Sequence, residues 1–320
     1  MKRPALALVL AAMACAAQAQ DYPNRAIRMV VGFPPGGGTD VAARILAPRL
    51  SEQLGQPVVI ENRPGATGTT AAAQVAQSPG DGYTLMMGHV SVNAIAPALF
   101  ANLGYDVIRD FAPVGIAASV PHLVTVHPSF QVNTLRELIA QLRAQPGKLS
   151  FPSAGNGSMP HLAGEVFKHL AGVNVLHVPY KGTGQSMQDL LGGVHVVAFD
   201  TMAAAAPHVK SGKLRALAVS STGRQPAFPE VPTAEEAGLP GYVVTTWYGV
   251  FAPASTPAAI VNRVHAEMVK AMQLADVRSK MEGIGADGTW SKSPAEFAAL
   301  VRSDTARYAK IVKDIGLKLD

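Results

Sequence analysis

The chain has 320 residues, 48% of them hydrophobic and only 15% charged. That is too apolar and too sparsely charged for a disordered protein, and long enough for about two ordinary domains. The formal charge is +5, and setting aside Lys2 and Arg3, which belong to a segment read below as removed, leaves 25 basic against 22 acidic residues. With no run of like charges and 6% aromatic residues, the chain offers no electrostatic footprint and no stacking platform for bases, so nucleic acid is excluded as a partner.

Residues 1–19 combine a basic start, an apolar stretch from Ala5 to Ala17 and the small-residue pattern Ala17-Gln18-Ala19 before Gln20. This reads as a secretory signal peptide cleaved after Ala19, too short to span a bilayer. Lipidation at Cys15, after Ala12-Met13-Ala14, is the competing reading, weakened because the usual leucine three residues before the cysteine is missing. Cys15 is the only cysteine, so cleavage leaves a mature chain without disulfides or thiolate chemistry. No later window approaches eighteen consecutive apolar residues, so an exported, periplasmic protein is expected.

In chain order, short β-branched runs alternate with helical patterns: strand 27–33, helix 39–54, strand 58–61, helix 70–77 and strand 83–87. In the first helix Val41, Ile45, Leu46, Leu50 and Leu54 recur at helical spacing. Residues 111–127 form two apolar stretches interrupted at Pro121, and Thr134-Leu135-Arg136-Glu137 is a capping box that opens a helix to Gln145. A second alternation follows: a strand at 149–151, helix 159–170, strand 175–179, helix 185–191, strand 194–199, helix 202–211 and strand 214–220. Beyond it come the prolines at 226, 229 and 232, an extended run at 242–251, and helices signalled by Thr256-Pro257 and Ser293-Pro294-Ala295-Glu296. The last helix carries an apolar stripe of Phe297, Leu300, Val301, Tyr308, Ile311 and Val312, which implies that the tail returns to the first unit. The expected fold is α/β in two lobes, with crossings near Thr125 and Ser221. Lobe I then comprises 20–124 and 222–320, and lobe II comprises 125–221.

The strongest chemical signal is Phe33-Pro34-Pro35-Gly36-Gly37-Gly38-Thr39-Asp40, which ends a strand and opens a helix. Glycines permit a tight turn whose free N–H groups sit at the positive end of a helix dipole, a site suited to an anion. The segment lacks the Gly-Lys-Ser/Thr of a nucleotide loop and the glycine spacing of a dinucleotide fingerprint. Ser153-Ala154-Gly155-Asn156-Gly157-Ser158, followed by Met159-Pro160-His161, occupies the equivalent place in the second unit. Two anion cradles, one per lobe, suit a clamshell that closes on its ligand. Other strand ends supply His89, Ser91 and Asn93, then Tyr180 to Gly184, then Asp200 and Thr201. Each of these features also has a purely structural explanation, as a glycine turn or a helix N-cap. Trp247 and Tyr248 read as core rather than as a stacking platform.

Enzyme signatures are missing: there is no Gly-x-Ser-x-Gly and no His-Glu-x-x-His, and the nine histidines show no metal-ligand spacing. Neither a metal nor a cofactor is expected. Ser158, His161 and Asp200 could be imagined as a hydrolytic triad, but no nucleophile elbow supports them. That secreted hydrolase is the rival reading.

These segments together resemble the Bug-type extracytoplasmic solute receptors, the substrate-binding components of tripartite tricarboxylate transporters. The similarity includes Tyr22-Pro23, residues 33–40, Val59 to Ala66, Asp81 to Leu85, Tyr105-Asp106, Arg109 to Val114, residues 153–158 with His161, Val178 to Gly182, and Trp247-Tyr248-Gly249. The resemblance implies a two-lobed periplasmic binding protein of the type II Venus flytrap kind, with two crossing strands. It also implies a carboxylate held by the loops at Gly36 to Asp40 and Ser153 to Ser158, and membrane permease subunits as partners of a monomeric receptor. The expected ligand site comprises Phe33, Gly36, Gly37, Gly38, Thr39, Asp40, Ser91, Asn93, Ser153, Gly155, Asn156, Gly157, Ser158, His161, Tyr180, Asp200 and Thr201. The expected ligand is a small amino or hydroxy acid, a dicarboxylate or an aromatic acid; an acidic Asp200 at the distal end of the pocket would favour an amino, hydroxy or nicotinate-like aromatic acid over a tricarboxylate, because like charges repel strongly in a dry cleft.

Overall fold

The computed structural model describes residues 22–286 and 290–317. The expected signal peptide and Cys15 lie outside them. Strand β1 (Ile27–Val31) runs parallel to β2 (Val58–Asn62) on one side and β3 (Thr84–His89) on the other. Because strand side chains alternate, Ile27, Met29 and Val31 face helix α1 (Gly38–Leu54), while Val30 faces helix α2 (Thr69–Ala76). Burial on both faces accounts for the apolar residues on both sides of β1, with the half-buried Arg28 as the exception. Helix α1 buries Ala42, Ala43, Leu46, Ala47, Leu50 and Leu54 and stops at Gly55, whose φ of 71° is left-handed. The expected stripe is thus rotated toward the alanines, which let the helix approach the sheet closely, and Val41 and Ile45 are left only half-buried. After β3 the chain makes a π-helical turn (Ser91–Ile95), continued by the short helix α3 (Ala96–Leu99).

The two expected apolar stretches are one sixteen-residue strand, β4 (Phe111–Val126). From Phe111 to Pro121 it pairs antiparallel with β9 (Thr245–Pro253), and β9 in turn pairs with β3. From His122 to Val126 it lies between β7 (Val197–Thr201) and β8 (Arg215–Val219). Pro121 stands where the partners change, the place in a ladder where a missing N–H costs least. Strands β4 and β9 therefore connect two lobes.

The second lobe adds the parallel pair β5 (Ser150–Ser153) and β6 (Leu176–Pro179), with helices α4 (Leu135–Ala144), α5 (Met159–Ala171), α6 (Thr183–Leu191) and α7 (Met202–Lys210). The capping box that starts α4 forms: Glu137 N–H donates to Thr134 Oγ1 at 3.2 Å, and the Glu137 carboxylate accepts from Asn133 N–H at 2.6 Å. Beyond β8, residues 222–244 stay beside this lobe. Ala234 N–H donates to Val219 O at 2.8 Å, Val244 N–H donates to Ser220 O at 3.1 Å, and the Tyr242 ring meets Phe167 edge-on. The return crossing is thus at Val244-Thr245, beyond Ser221, because these bonds extend the β8 layer.

Helices α8 (Ala258–Gln273), α9 (Ala275–Gly283) and α10 (Pro294–Asp314) carry the tail back to the first lobe. Helix α10 buries Phe297, Val301, Tyr308 and Val312, and Phe297 packs on Gly249 of β9 so closely that a Cβ there would lie 2.2 Å from its ring.

Candidate functional site

A cavity of about 410 Å3 lies between the lobes. Four helices begin at its wall, and their N-cap residues Gly37, Ser158, Gly182 and Thr201 all line it. Each helix start leaves backbone N–H groups without intrahelical partners and carries about half a positive charge from the helix dipole. One start comes from the first lobe and three come from the second, so an anion in the cavity is attracted by both.

In the first lobe, Gly36 turns with φ of 83°, and Asp40 pins the turn. The Asp40 carboxylate accepts from Gly36 N–H at 2.9 Å, Arg44 Nε at 2.8 Å and Asn62 Nδ2 at 2.8 Å. Burial pushes its pKa up, but the bonds from Arg44, Gly36 and Asn62 outweigh this and hold the carboxyl below its ordinary value. Asp40 is therefore occupied in building the cradle and does not line the cavity. Gly38 is required by contact: a Cβ there would lie 2.2 Å from Tyr248 Oη.

Phe33, His89 and Tyr248 form an aromatic wall, with ring centroids 5.1 Å and 5.5 Å apart. Burial, with His122 nearby, lowers the His89 pKa to about 3, so the ring is neutral and its Nδ1 accepts from Ser91 N–H at 2.9 Å. Ser91 lines the cavity, and its Oγ is buried without a hydrogen-bond partner among the described residues. Asn93 spends Oδ1 on His89 N–H and leaves Nδ2 unpartnered, but it sits behind the wall.

In the second lobe the 153–158 loop is held by its own bonds. Ser153 Oγ accepts from Gly155 N–H at 3.1 Å and lies 2.6 Å from His177 Nε2. Gly155 and Gly157 take φ of 129° and 74°, and Asn156 is exposed. His161 Nδ1 accepts from Gly157 N–H at 3.1 Å, and its ring stacks on His177 at 3.7 Å. Burial keeps both imidazoles neutral, with pKa values near 3 and 4. Tyr180 Oη is taken by Asp189 at 2.6 Å and His195 at 2.8 Å. Of the residues expected here, Ser158 and Thr201 reach the cavity, whereas Ser153, Gly155, Asn156, Gly157, His161 and Tyr180 shape the loops behind it. Asp200 lies one residue behind Thr201, fully buried, with neither oxygen partnered among the described residues. Burial alone lifts its pKa to about 7.

The imagined triad does not form. Ser158 Oγ caps α5 by accepting from His161 N–H at 3.4 Å, the His161 ring binds Gly157, and Asp200 bonds neither. Across the cleft the lobes touch. Thr67 Oγ1 donates to Asn156 O at 2.8 Å, and Gly157 abuts Phe100 and Leu99.

Of the expected site, the cavity gathers Phe33, Gly36, Gly37, Gly38, Thr39, Ser91, Ser158 and Thr201. It adds Pro160 and Gln185, which sequence reasoning missed although both sit in the first turn of a helix that begins at a glycine or serine cap. It also adds Tyr248, read as core: Tyr248 is buried, but register places it opposite His89, where it lines the cavity. Lys181 is the one charged side chain in this lining among the described residues.

Two lobes joined by two crossing strands, with helix starts facing one cleft, define a solute-binding receptor of the periplasmic binding protein fold. The chain matches the Tripartite tricarboxylate transporter family receptor model over residues 42–317 and belongs to that family. It is 37% identical to Protein BugT of Bordetella pertussis over 315 residues, 98% of this chain and 96% of that protein. Among solved structures it is similar to an R. palustris protein with adipate, at a TM-score of 0.90 and 37% identity, covering 93% of this chain and all of that one. It is also similar to MatC from Rhodopseudomonas palustris with bound malate, at 0.85 and 35%, covering 91% of this chain and all of that one. As a member of this family the protein is a solute-binding receptor rather than an enzyme. No helix among the described residues is long and apolar enough to cross a membrane.

Proposed function

We propose that this protein is exported by its N-terminal signal, closes its lobes on one small organic acid, and delivers that acid to the membrane subunits of a tripartite transporter. The observation that carries the reading is the convergence of four helix N-termini on one cavity between the lobes. The ligand carboxylate sits against Gly37, Gly38 and Thr39 on one side and Ser158 and Thr201 on the other, with Ser91 Oγ free to donate. Lobe I is taken as 22–121 with 245–317, and lobe II as 122–244, following the partner change of β4. With Lys181 as the one charged lining side chain among the described residues, three carboxylates would lack counter-charge. A mono- or dicarboxylate therefore fits better, in keeping with the adipate and malate of the related structures. Asp200 stands one residue behind the lining, and once it gives up its proton above about pH 7 its unpartnered oxygens favour a hydroxyl or ammonium on the ligand over a further bare carboxylate nearby.

A thermal-shift screen of refolded, ligand-stripped protein against small carboxylates tests this. A ligand at about a hundred times its dissociation constant adds about 2.7 kcal/mol of apparent stability. A shift confined to mono- and dicarboxylates is expected. No shift with any acid would overturn the reading.

A further inference from the structure

A second cavity, of about 360 Å3, adjoins the first. Gly36, Gly37 and Gly38 from one lobe and Thr183 and Gly184 from the other line both, so these five residues are the wall between them. A Cβ built at Gly36 or Gly184 would meet no atom within 4 Å, so nothing packs against the shared wall at those points. Beyond that wall the lining of the second cavity is mostly apolar, with Val41, Met187, Leu191, Ala203 and Ile284, and Gln188 adds an uncharged amide. Val41 belongs to the apolar stripe of α1 yet packs in neither core, because it turns to this cavity instead. The titratable side chain here is His208, which burial holds below its ordinary pKa, so the lining is uncharged at neutral pH among the described residues.

We propose that the ligand's carboxylate occupies the first cavity while an apolar arm of the same ligand crosses the glycine wall into the second, so that this receptor takes acids bearing an unbranched alkyl or aromatic substituent. The inference rests on the carboxylate-receptor reading above and names its substrate class. A space larger than the about 150 Å3 that can hold a benzene ring accommodates such an arm. The charged, fully hydrated arms of a citrate-like acid would instead be stripped of water there without compensation.

Calorimetric titration of stripped protein with propanoate, hexanoate and 4-phenylbutanoate tests it. Burying a methylene tightens binding about fourfold, so hexanoate should bind about sixtyfold more tightly than propanoate. Ala203→Leu and Val41→Phe each fill the second cavity, and should keep propanoate binding while abolishing most of that gain. Urea unfolding confirms that each variant is folded, and either one alone suffices. Equal binding of the three acids by the wild type, or an unchanged gain in a folded variant, overturns the arm while leaving the carboxylate reading intact. Failure of all three acids to bind overturns the arm, whereas binding of other carboxylates in the thermal-shift screen keeps the broader reading.

Discussion

Replacing Asp200 by Asn should change how the protein's stability depends on pH. Both oxygens of this carboxylate are buried without a partner among the described residues, and burial lifts its pKa from 3.8 to about 7. In the unfolded chain the group ionises near its ordinary value, so between about pH 4 and 7 the folded state holds a proton that the unfolded state has released. The wild type is therefore favoured below about pH 4, loses stability as pH rises, and levels off above about pH 7. At about 1.4 kcal/mol per pH unit, that interval corresponds to about 4 kcal/mol. Asn keeps the shape and has no proton to exchange. Urea unfolding of both proteins from pH 4 to pH 8 should show the difference between them growing in favour of Asp200→Asn, while the buried histidines cancel because they titrate in both. Parallel profiles would refute the reasoning, since they would mean that Asp200 ionises as if solvated.

Two further predictions concern the cleft. Thr67→Ala removes a partly exposed hydrogen bond that crosses between the lobes at 2.8 Å; at about 0.5–1 kcal/mol, ligand affinity should fall about two- to fivefold in calorimetry, with little change in the melting of ligand-free protein. Gly38→Ala places a Cβ 2.2 Å from Tyr248 Oη and should destabilise by about 1–3 kcal/mol. Gly37→Ala, whose nearest atom is Pro34 O at 3.6 Å, should be close to neutral in the same urea titration.

The cradles were legible because their signals are local. Ser158 reads as an N-cap, and it is one; the glycines at 36–38 read as a turn before a helix, and they form it. Asp40, His161 and Tyr180 looked like ligand groups because each stands beside such a loop, yet all three are consumed by nearer partners. Those partners include Asn62, which is 22 residues away from Asp40, and His195, which is 15 away from Tyr180. Residue type and spacing announce a polar group at a site, but they do not say whether its hydrogen bonds are already spent.

The sequence by itself determined the alternation of strands and helices, the caps, and the two glycine loops, because propensity, turn chemistry and apolar periodicity act within a few residues. Tertiary structure alone decided that β4 runs through Pro121 and exchanges partners there, that residues 222–244 remain with the second lobe, and that Tyr248 meets both His89 and Gly38. Each of these depends on antiparallel pairing between segments far apart in the chain, or on a layer extended by backbone bonds such as Val244 N–H to Ser220 O. Such register is set by which apolar faces can be buried together, a property of the packed molecule rather than of any one stretch of chain.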